Sequence, residues 1–235
     1  MPGNKESQRS RTGLTGIVLI GGRSSRLGGE PKPLIVVGNK LILARIADAL
    51  RSVCDEVIAV VRPGQEDASP DTAMALGMHV VEDTCSDAGP LAGCCAGLRA
   101  SVSALSFVTG GDHPFLSADL IRAMARTAST RGAAVVPHVD GRLQPLHAVY
   151  PTLTWRTHFC EAMANGERSP TRVLASALAA GTSGIVEYGV RQIEEHDPRL
   201  MSLVDVDTPS QLARARIMSD WRTNVRPGLR HPGGA

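Results

Sequence analysis

The stretch GIVLIGG, residues 16–22, constrains the fold more than any other: an unbroken apolar run stopped by two glycines. A half-exposed strand alternates apolar and polar residues, whereas a continuous run suits a strand buried on both faces, as in a parallel sheet between helical layers. In open sheets of that kind ligands gather at the carboxyl ends of the strands. An amphipathic stretch over 41–53 follows and leads into EVIAVV at 56–61. The apolar period therefore switches from strand to helix to strand, which describes a crossover unit, right-handed by default.

The unit recurs. A short helical run near 72–76, the strand MHVVE, a helix over 90–102, the strand ALSFVTG and a helix over 116–128 follow in order, the last behind Ser117, a good N-cap. AAVVP at 133–137 reads as another buried strand. Asp140-Gly141 then signals a hairpin that breaks the alternation before PLHAVY, which ends at Tyr150. Helical runs at 153–165 and 169–180, a strand at 184–188 and a short apolar run at 200–206 precede a last helix, with Thr208 as N-cap and Pro209 at its first position. The predicted class is α/β, three-layer α/β/α, with a mostly parallel sheet and a Rossmann-like nucleotide-binding half. One domain over 15–220 accounts for this pattern. The ends, 1–14 and 221–235, lack apolar periodicity and read as disordered tails.

Composition narrows the partners. With 235 residues, 43% hydrophobic and 20% charged, the chain can bury a sizeable core and is no polyelectrolyte. A net charge of +2 with three Phe, two Trp and two Tyr offers neither the cationic footprint nor the stacking platforms of a nucleic-acid groove. No apolar run approaches the roughly 20 residues that span a bilayer, and the first dozen residues hold no apolar leader segment, so a cytoplasmic protein without membrane attachment is expected. The five cysteines, Cys54, Cys85, Cys94, Cys95 and Cys160, are odd in number and scattered, without a C-x-x-C pair. A reducing compartment suits them. Cys94 and Cys95 fall on a predicted helix and are expected to pack as small hydrophobes.

After the first strand comes GGRSSRLGGEPKPL, residues 21–34, in which four glycines and two serines leave amides uncovered beside Arg23, Arg26 and Lys32. Such a loop can wrap a polyphosphate, with close amide donors and mobile cations to neutralise charge at phosphorus. A solvated basic turn is the plainer reading of the same residues. A Walker loop needs Gly-Lys-Ser/Thr, and Gly28-Gly29-Glu30 fails that test. A dinucleotide loop needs an acidic residue after the second strand, where Val61-Arg62 stands, which disfavours a nicotinamide-dependent oxidoreductase.

Two aspartates sit at element ends: Asp112 behind ALSFVTGG, and Asp207 before the last helix. In a parallel sheet both can converge beside the glycine loop. Hard oxygen ligands without a His/Cys cluster suit Mg²⁺, which keeps waters and bridges to substrate phosphates. Asp205 is the alternative second ligand. Each aspartate also has an ordinary reading, Asp112 as a turn residue and Asp207 as a carboxylate at a helix N-terminus.

The run Leu19-Ile20-Gly21-Gly22-Arg23-Ser24-Ser25-Arg26-Leu27-Gly28, then Pro31-Lys32, resembles the signature of nucleotidyltransferases with the nucleotide-diphospho-sugar transferase-like, or glycosyltransferase-A-like, fold, in particular the molybdenum cofactor guanylyltransferase family. The resemblance continues at Gly89-Pro90-Leu91-Ala92-Gly93, at Gly111-Asp112-His113-Pro114-Phe115 and at Val204-Asp205-Val206-Asp207-Thr208-Pro209, and covers residues 16–212. Two departures stand out. Pro31 occupies a position usually held by aspartate, and Asp205 and Asp207 occupy positions usually held by asparagine, both nearer to cytidylyltransferase relatives.

The resemblance implies transfer of GMP from GTP to the terminal phosphate of molybdopterin with release of pyrophosphate. It implies Lys32, Arg23, Arg26 and Asp112 as catalytic residues, and Mg²⁺ held by Asp112 and Asp207. Nucleotide contacts are implied for Leu19, Ile20, Gly21, Gly22, Lys32, Asp83, Gly89, Pro90, Leu91 and Asp112. Gly21-Gly22 and GPLAG resemble the guanylyl members. Cytidylyl transfer on the same fold, or a non-catalytic nucleotide-binding module, are the alternatives. The implied partners are GTP, molybdopterin and, transiently, molybdoenzymes or other proteins of cofactor biosynthesis. RLQPLHAVY resembles the acceptor-side strand. Alternation there puts Gln144 and Tyr150 on one face and His147 on the other, so His147 is expected to pack rather than react, and His113 to serve its turn.

Overall fold

The computed structural model describes residues 13–22, 29–83, 89–181 and 184–224, with side chains to 219. The elements run β1 (Leu14–Leu19), β2 (Val36–Val37), β3 (Lys40–Leu41), α1 (Ile42–Arg51), β4 (Glu56–Val61), α2 (Ser69–Ala75), β5 (His79–Glu82), α3 (Pro90–Ala100) and β6 (Leu105–Gly110). Then follow α4 (Ala118–Arg131), β7 (Ala134–Val139), β8 (Arg142–Leu143), β9 (His147–Pro151), α5 (Thr152–Ala164), α6 (Pro170–Ala179), β10 (Ile185–Tyr188), α7 (Val190–Glu194) and α8 (Pro209–Asn224). The strands form one sheet in the order β10-β7-β9-β6-β1-β4-β5, with β8 paired to β7 and β2-β3 as a separate ribbon. Only β9, in the main sheet, runs against both of its neighbours. The hairpin marked by Asp140-Gly141 is what reverses the chain, Asp140 itself taking a positive φ of 51°.

The continuous apolar runs are buried on two faces, as their composition requires. In β4, Val57, Ala59 and Val61 join the core under α1 and α4, whereas Ile58 and Val60 join the core under α3 and α5. Ile17 of β1 and Val108 of β6 lie on the second face, and Val18 and Phe107 on the first. Helix α3 packs unusually close, because a Cβ added at Gly97 would sit 2.4 Å from Cγ2 of Ile17. The N-caps read from sequence hold in both places: the Ser117 hydroxyl accepts from Leu120 N at 3.2 Å, and the Thr208 hydroxyl accepts from Gln211 N at 3.3 Å.

Three details differ from the sequence reading. The β2-β3 ribbon and α7 were not anticipated, being only two residues per strand and five residues of helix. Gln144 lies past the end of β8 and outside β9, so strand alternation does not govern it. Tyr150 does face the α3/α5 core, and its hydroxyl donates to the Pro145 carbonyl at 2.8 Å. The third difference concerns Cys95, which is neither an isolated small hydrophobe nor one of the free thiols expected of a reducing compartment but is bonded to Cys160 of α5 across 5.5 Å between Cα atoms. No local spacing announces a pair 65 residues apart; the sheet brings it together by laying α3 beside α5. Cys94 does pack in the core, where burial pushes its thiol up to about 12.

A cross-link closing so long a loop stabilises by about 2–4 kcal/mol, chiefly through the unfolded chain. Thermal melts with and without reductant should therefore differ by about 5–15 °C. Cys160→Ser should reproduce the reduced value and be insensitive to reductant. Equal melting temperatures in all three samples would show that the bond contributes nothing.

Candidate active site

Four parallel strand ends stand in a row at the carboxyl edge, in the order β6, β1, β4, β5. A cleft of about 360 Å³ opens across them, lined by Leu19, Gly21, Gly22, Arg62, Asp83, Gly89, Pro90, Gly93, Gly110, Gly111, Asp112, Leu146 and the tip of β4. A cavity of that size takes one small ligand. Its floor is glycine for a steric reason. A Cβ at Gly21 would lie 2.7 Å from the Arg62 backbone nitrogen, and one at Gly111 would lie 2.8 Å from Cγ2 of Ile20. Gly89 opens α3 with φ of 71°, which a side chain rarely adopts, and Pro90 follows at the first helical turn.

Of the residues expected to meet a nucleotide, Leu19, Gly21, Gly22, Asp83, Gly89, Pro90 and Asp112 line this cleft. Ile20 and Leu91 are buried in the cores beneath it, with the Ile20 amide and carbonyl bonded to Val60 and Gln65 and the Leu91 amide bonded to the Arg168 carbonyl. Arg23 and Arg26 lie outside the described residues. Arg62, which the sequence reading used only to reject a dinucleotide loop, lines the cleft at the end of β4. The signal that could have found it was its position, directly after a buried parallel strand.

At the β6 end three charged groups converge from 175 residues of chain. Lys32, in a single 3₁₀ turn over Lys32–Leu34, donates from Nζ to Oδ2 of Asp112 at 3.0 Å and also to Oδ1 of Asp207. The segment bearing Asp207 is fastened to the end of β6, because Val206 N donates to the Asp112 carbonyl at 3.0 Å. Gln211 of α8 fixes its conformation by accepting from Asp207 N at 3.0 Å and donating to Asp205 at 2.7 Å. Asp205 is thus engaged with Gln211, while Asp207 faces Asp112 across the lysine. Two carboxylates that share one ammonium can equally share a divalent cation, and their oxygens are of the hard type that Mg²⁺ takes. Among the described residues no three His, Cys, Asp or Glu side chains form a closed metal cage. Asp112 and Asp207 by themselves offer two carboxylates, a donor set of the kind Mg²⁺ takes when water and substrate phosphate supply the remaining ligands.

His147 is buried against Phe107, with ring centroids 5.3 Å apart, and its titration is pushed well down by burial and by His113. Its packing role is as expected from the sequence. His113 places Nδ1 2.9 Å from Oδ1 of Asp112, so it is more than a turn residue: its ring lies directly against that carboxylate.

The electrostatics of the trio predict a pH profile for folding. Burial alone would raise the Asp112 carboxyl, but the neighbouring His113 and Lys32 outweigh it and hold the group well below the ordinary carboxylate range. Burial lowers Lys32, and the two aspartates outweigh that and hold it above 10.5. An aspartate titrates near 4 in the unfolded chain, so below about pH 4 the unfolded state takes up a proton that the folded state refuses, and stability falls. The Lys32 contribution is complete below about pH 10 and is lost as pH rises through its folded value. Denaturant titrations should show a plateau between these limits. Asp112→Asn should flatten the acid limb; an unchanged limb would assign it to other carboxylates.

Residues 16–180 match the MobA-like NTP transferase domain. The chain belongs to this family. As a MobA-like NTP transferase it is an enzyme of the nucleotidyltransferase class. A probable molybdenum cofactor guanylyltransferase from Methanosarcina mazei is 33% identical over 216 residues, which cover 88% of this chain and 92% of that protein. One from Pelotomaculum thermopropionicum is 31% identical over 223 residues, 91% of this chain and 96% of the relative. In fold, this family member resembles the crystal structure of molybdopterin-guanine dinucleotide biosynthesis protein A from Archaeoglobus fulgidus, with a TM-score of 0.74, 22% identity, and 88% and 99% of the two chains covered. The 2-C-methyl-D-erythritol 4-phosphate cytidylyltransferase from Thermus thermophilus shares the fold at a TM-score of 0.63 and 20% identity, over 87% and 98%. No helix among the described residues is long and apolar enough to cross a membrane.

Proposed function

We propose that this chain transfers the GMP moiety of GTP to the terminal phosphate of molybdopterin and releases pyrophosphate. The observation that carries the reading is the convergence of Lys32 and, through it, Asp207 on Asp112, which lines one end of a glycine-floored cleft in a MobA-like fold. An acceptor oxygen of the pterin phosphate attacks the α-phosphorus of GTP. A new P–O bond forms, and the bond to the bridging oxygen of the β-phosphate breaks, its electron pair leaving with pyrophosphate.

A phosphate monoester with a second pKa of about 6 is already largely dianionic at neutral pH, so the acceptor needs no general base. Catalysis then rests on alignment and charge neutralisation. Lys32 supplies a cation to the triphosphate, and Gly21 and Gly22 let the backbone approach it. Arg23 and Arg26, in the same loop, add positive charge. Asp112 and Asp207 would hold Mg²⁺, which when bound neutralises charge on the phosphates. Asp83, Gly89 and Pro90 contact the nucleoside. A cytoplasmic setting, where GTP is available, and transient hand-over to molybdoenzymes belong to the same proposal.

The test is pyrophosphate release by purified protein with Mg²⁺, molybdopterin and each of GTP, CTP and ATP. Release with GTP alone is expected. Release with CTP would leave the fold and the Lys32 site in place and make the donor assignment wrong. No release with any of them would remove the catalytic reading.

A further inference from the structure

Helix α3 is held between the sheet and α5, and the Cys95–Cys160 bond fastens it on the α5 side. On the sheet side Gly93 and Gly97, one turn apart, lie so close to β1 that added Cβ atoms would come within 3.2 Å of Leu19 and 2.4 Å of Ile17. Cys95, midway between them, faces the other way, because residues two apart lie on nearly opposite sides of a helix. Interior glycines weaken a helix, so α3 keeps its place by packing and by the cross-link. That place matters to the cleft. Gly89, Pro90 and Gly93, at the start of α3, form part of its wall, and Leu91 N donates at 3.3 Å to the Arg168 carbonyl in the loop after α5. Helix α5 with its loop therefore braces the wall at two points, the Arg168 carbonyl and the disulfide.

The two sulfurs differ in access. Cys95 is 1% exposed, whereas Cys160 is partly exposed and opens into a recess of about 520 Å³ lined also by Arg99, Arg156, Thr157, Glu161 and Ala164. Arg99 lies one turn beyond Cys95 and Arg156 one turn before Cys160, so both cations stand on the helix faces that the bond joins. Among the described residues neither guanidinium has a hydrogen-bond or ion-pair partner. Glu161 is the single carboxylate of the lining, which leaves the recess cationic. A cationic recess concentrates anions, and the attacking species in disulfide exchange is a thiolate. Disulfides in a reducing compartment are ordinarily ones that open and close, and the cytoplasmic setting proposed above puts this bond in that class.

We infer that Cys160 is a thiol-exchange site for small carboxylate-bearing thiols, and that opening its bond to Cys95 loosens α3 and weakens nucleotide binding. The inference rests on the nucleotide-transfer reading and adds its regulation. A thiolate attacks Sγ of Cys160. The new S–S bond forms there as the bond to Cys95 breaks, and the electron pair leaves with Sγ of Cys95, which takes a proton. A second thiolate attacks the small-molecule sulfur of the mixed disulfide and frees the Cys160 thiolate. Two small thiols are oxidised to their disulfide, and the protein bond is reduced.

The experiment treats the full oxidised chain with glutathione, which carries carboxylates, or with the cationic thiol cysteamine, at matched thiolate concentration and low salt. Glutathione should open the bond about 3–10 times faster, and the ratio should fall towards one when Arg99→Gln and Arg156→Gln are combined. Mass spectrometry should find the transient glutathione adduct on Cys160. The opened protein should bind GTP at least about fivefold more weakly, and saturating GTP should favour the closed bond by the same factor. Cys160→Ser should bind GTP as the opened protein does, whatever the thiol. Amide hydrogen exchange over residues 91–99 should speed up on opening, a readout that needs no nucleotide. An adduct on Cys95, or equal opening rates with the two thiols, overturns the site. Equal GTP affinity of the closed and opened protein, or unchanged hydrogen exchange in α3, overturns the coupling. Absence of GTP binding by the oxidised chain, before any thiol is added, overturns the guanylyl reading and the coupling to it, while the adduct and the hydrogen exchange still decide the site.

Discussion

Lys32→Ala should lower kcat/KM for pyrophosphate release by about 10²–10³-fold, the usual cost of removing one preorganised electrostatic group from a reacting centre. Lys32 and Lys40 are the lysines among the described residues, and Lys40 is engaged elsewhere, 2.8 Å from Asp48 on the α1 surface. No second lysine stands ready to replace it. The same substitution should have an opposite effect on metal. Lys32 occupies the space between Asp112 and Asp207, so an incoming divalent ion must compete with an ammonium already paired to both. Removing it leaves two facing carboxylates with no cation between them, and Mg²⁺ affinity without nucleotide should rise, as calorimetry would measure. Lys32→Arg should recover little activity, because a planar fork cannot replace a compact point charge between two carboxylates. Activity of Lys32→Ala within tenfold of the unsubstituted protein would show that the lysine only neutralises the aspartates.

Much of this site was legible in the residues because it depends on local chemistry. GIVLIGG and EVIAVV announce strands buried on both faces, and the cores above and below β4 divide its residues by parity. A parallel sheet then fixes where the strand ends lie, which places Asp112 beside the glycine loop that opens at Gly21 from the sequence alone. What was not legible depends on three-dimensional neighbours. The Cys95–Cys160 bond exists because α3 and α5 share a face of the sheet. Asp205 and Asp207 could not be separated by pattern, since both precede the same helix; Gln211, one turn inside α8, engages Asp205 and leaves Asp207 toward the lysine. Arg62 was passed over because it was tested against one motif and failed it, although its place at a strand end was in plain view.

Asp112→Asn and Asp207→Asn should separate the two carboxylates by the way each loss responds to metal. Asp112 projects from the end of β6, its loop held by the bond from Gly111 N to the Leu19 carbonyl at 2.9 Å and by the bond from Val206 N to its own carbonyl. It is positioned against His113 and Lys32 at once, so an amide there loses the charge that faces the ammonium and turns one oxygen into a donor facing it. Activity should fall by about 10³-fold and should not return at high Mg²⁺. Asp207 sits on a segment held by Gln211 and is more exposed, at 34% against 22% for Asp112. Its asparagine keeps one carbonyl oxygen as an acceptor, so the site retains a neutral ligand in place of a charged one. A loss of about 10–100-fold at low Mg²⁺ is expected, with most of it recovered as the ion concentration is raised. Asp205→Asn should change the metal requirement little, because Gln211 Nε2 can donate to the amide oxygen as it does to the carboxylate. The decisive measurement is the Mg²⁺ dependence of pyrophosphate release for the three variants together. If Asp205→Asn shifts that curve and Asp207→Asn leaves it in place, the second ligand is Asp205, and the pairing of Lys32 with Asp207 is a structural contact instead of a marker for the ion.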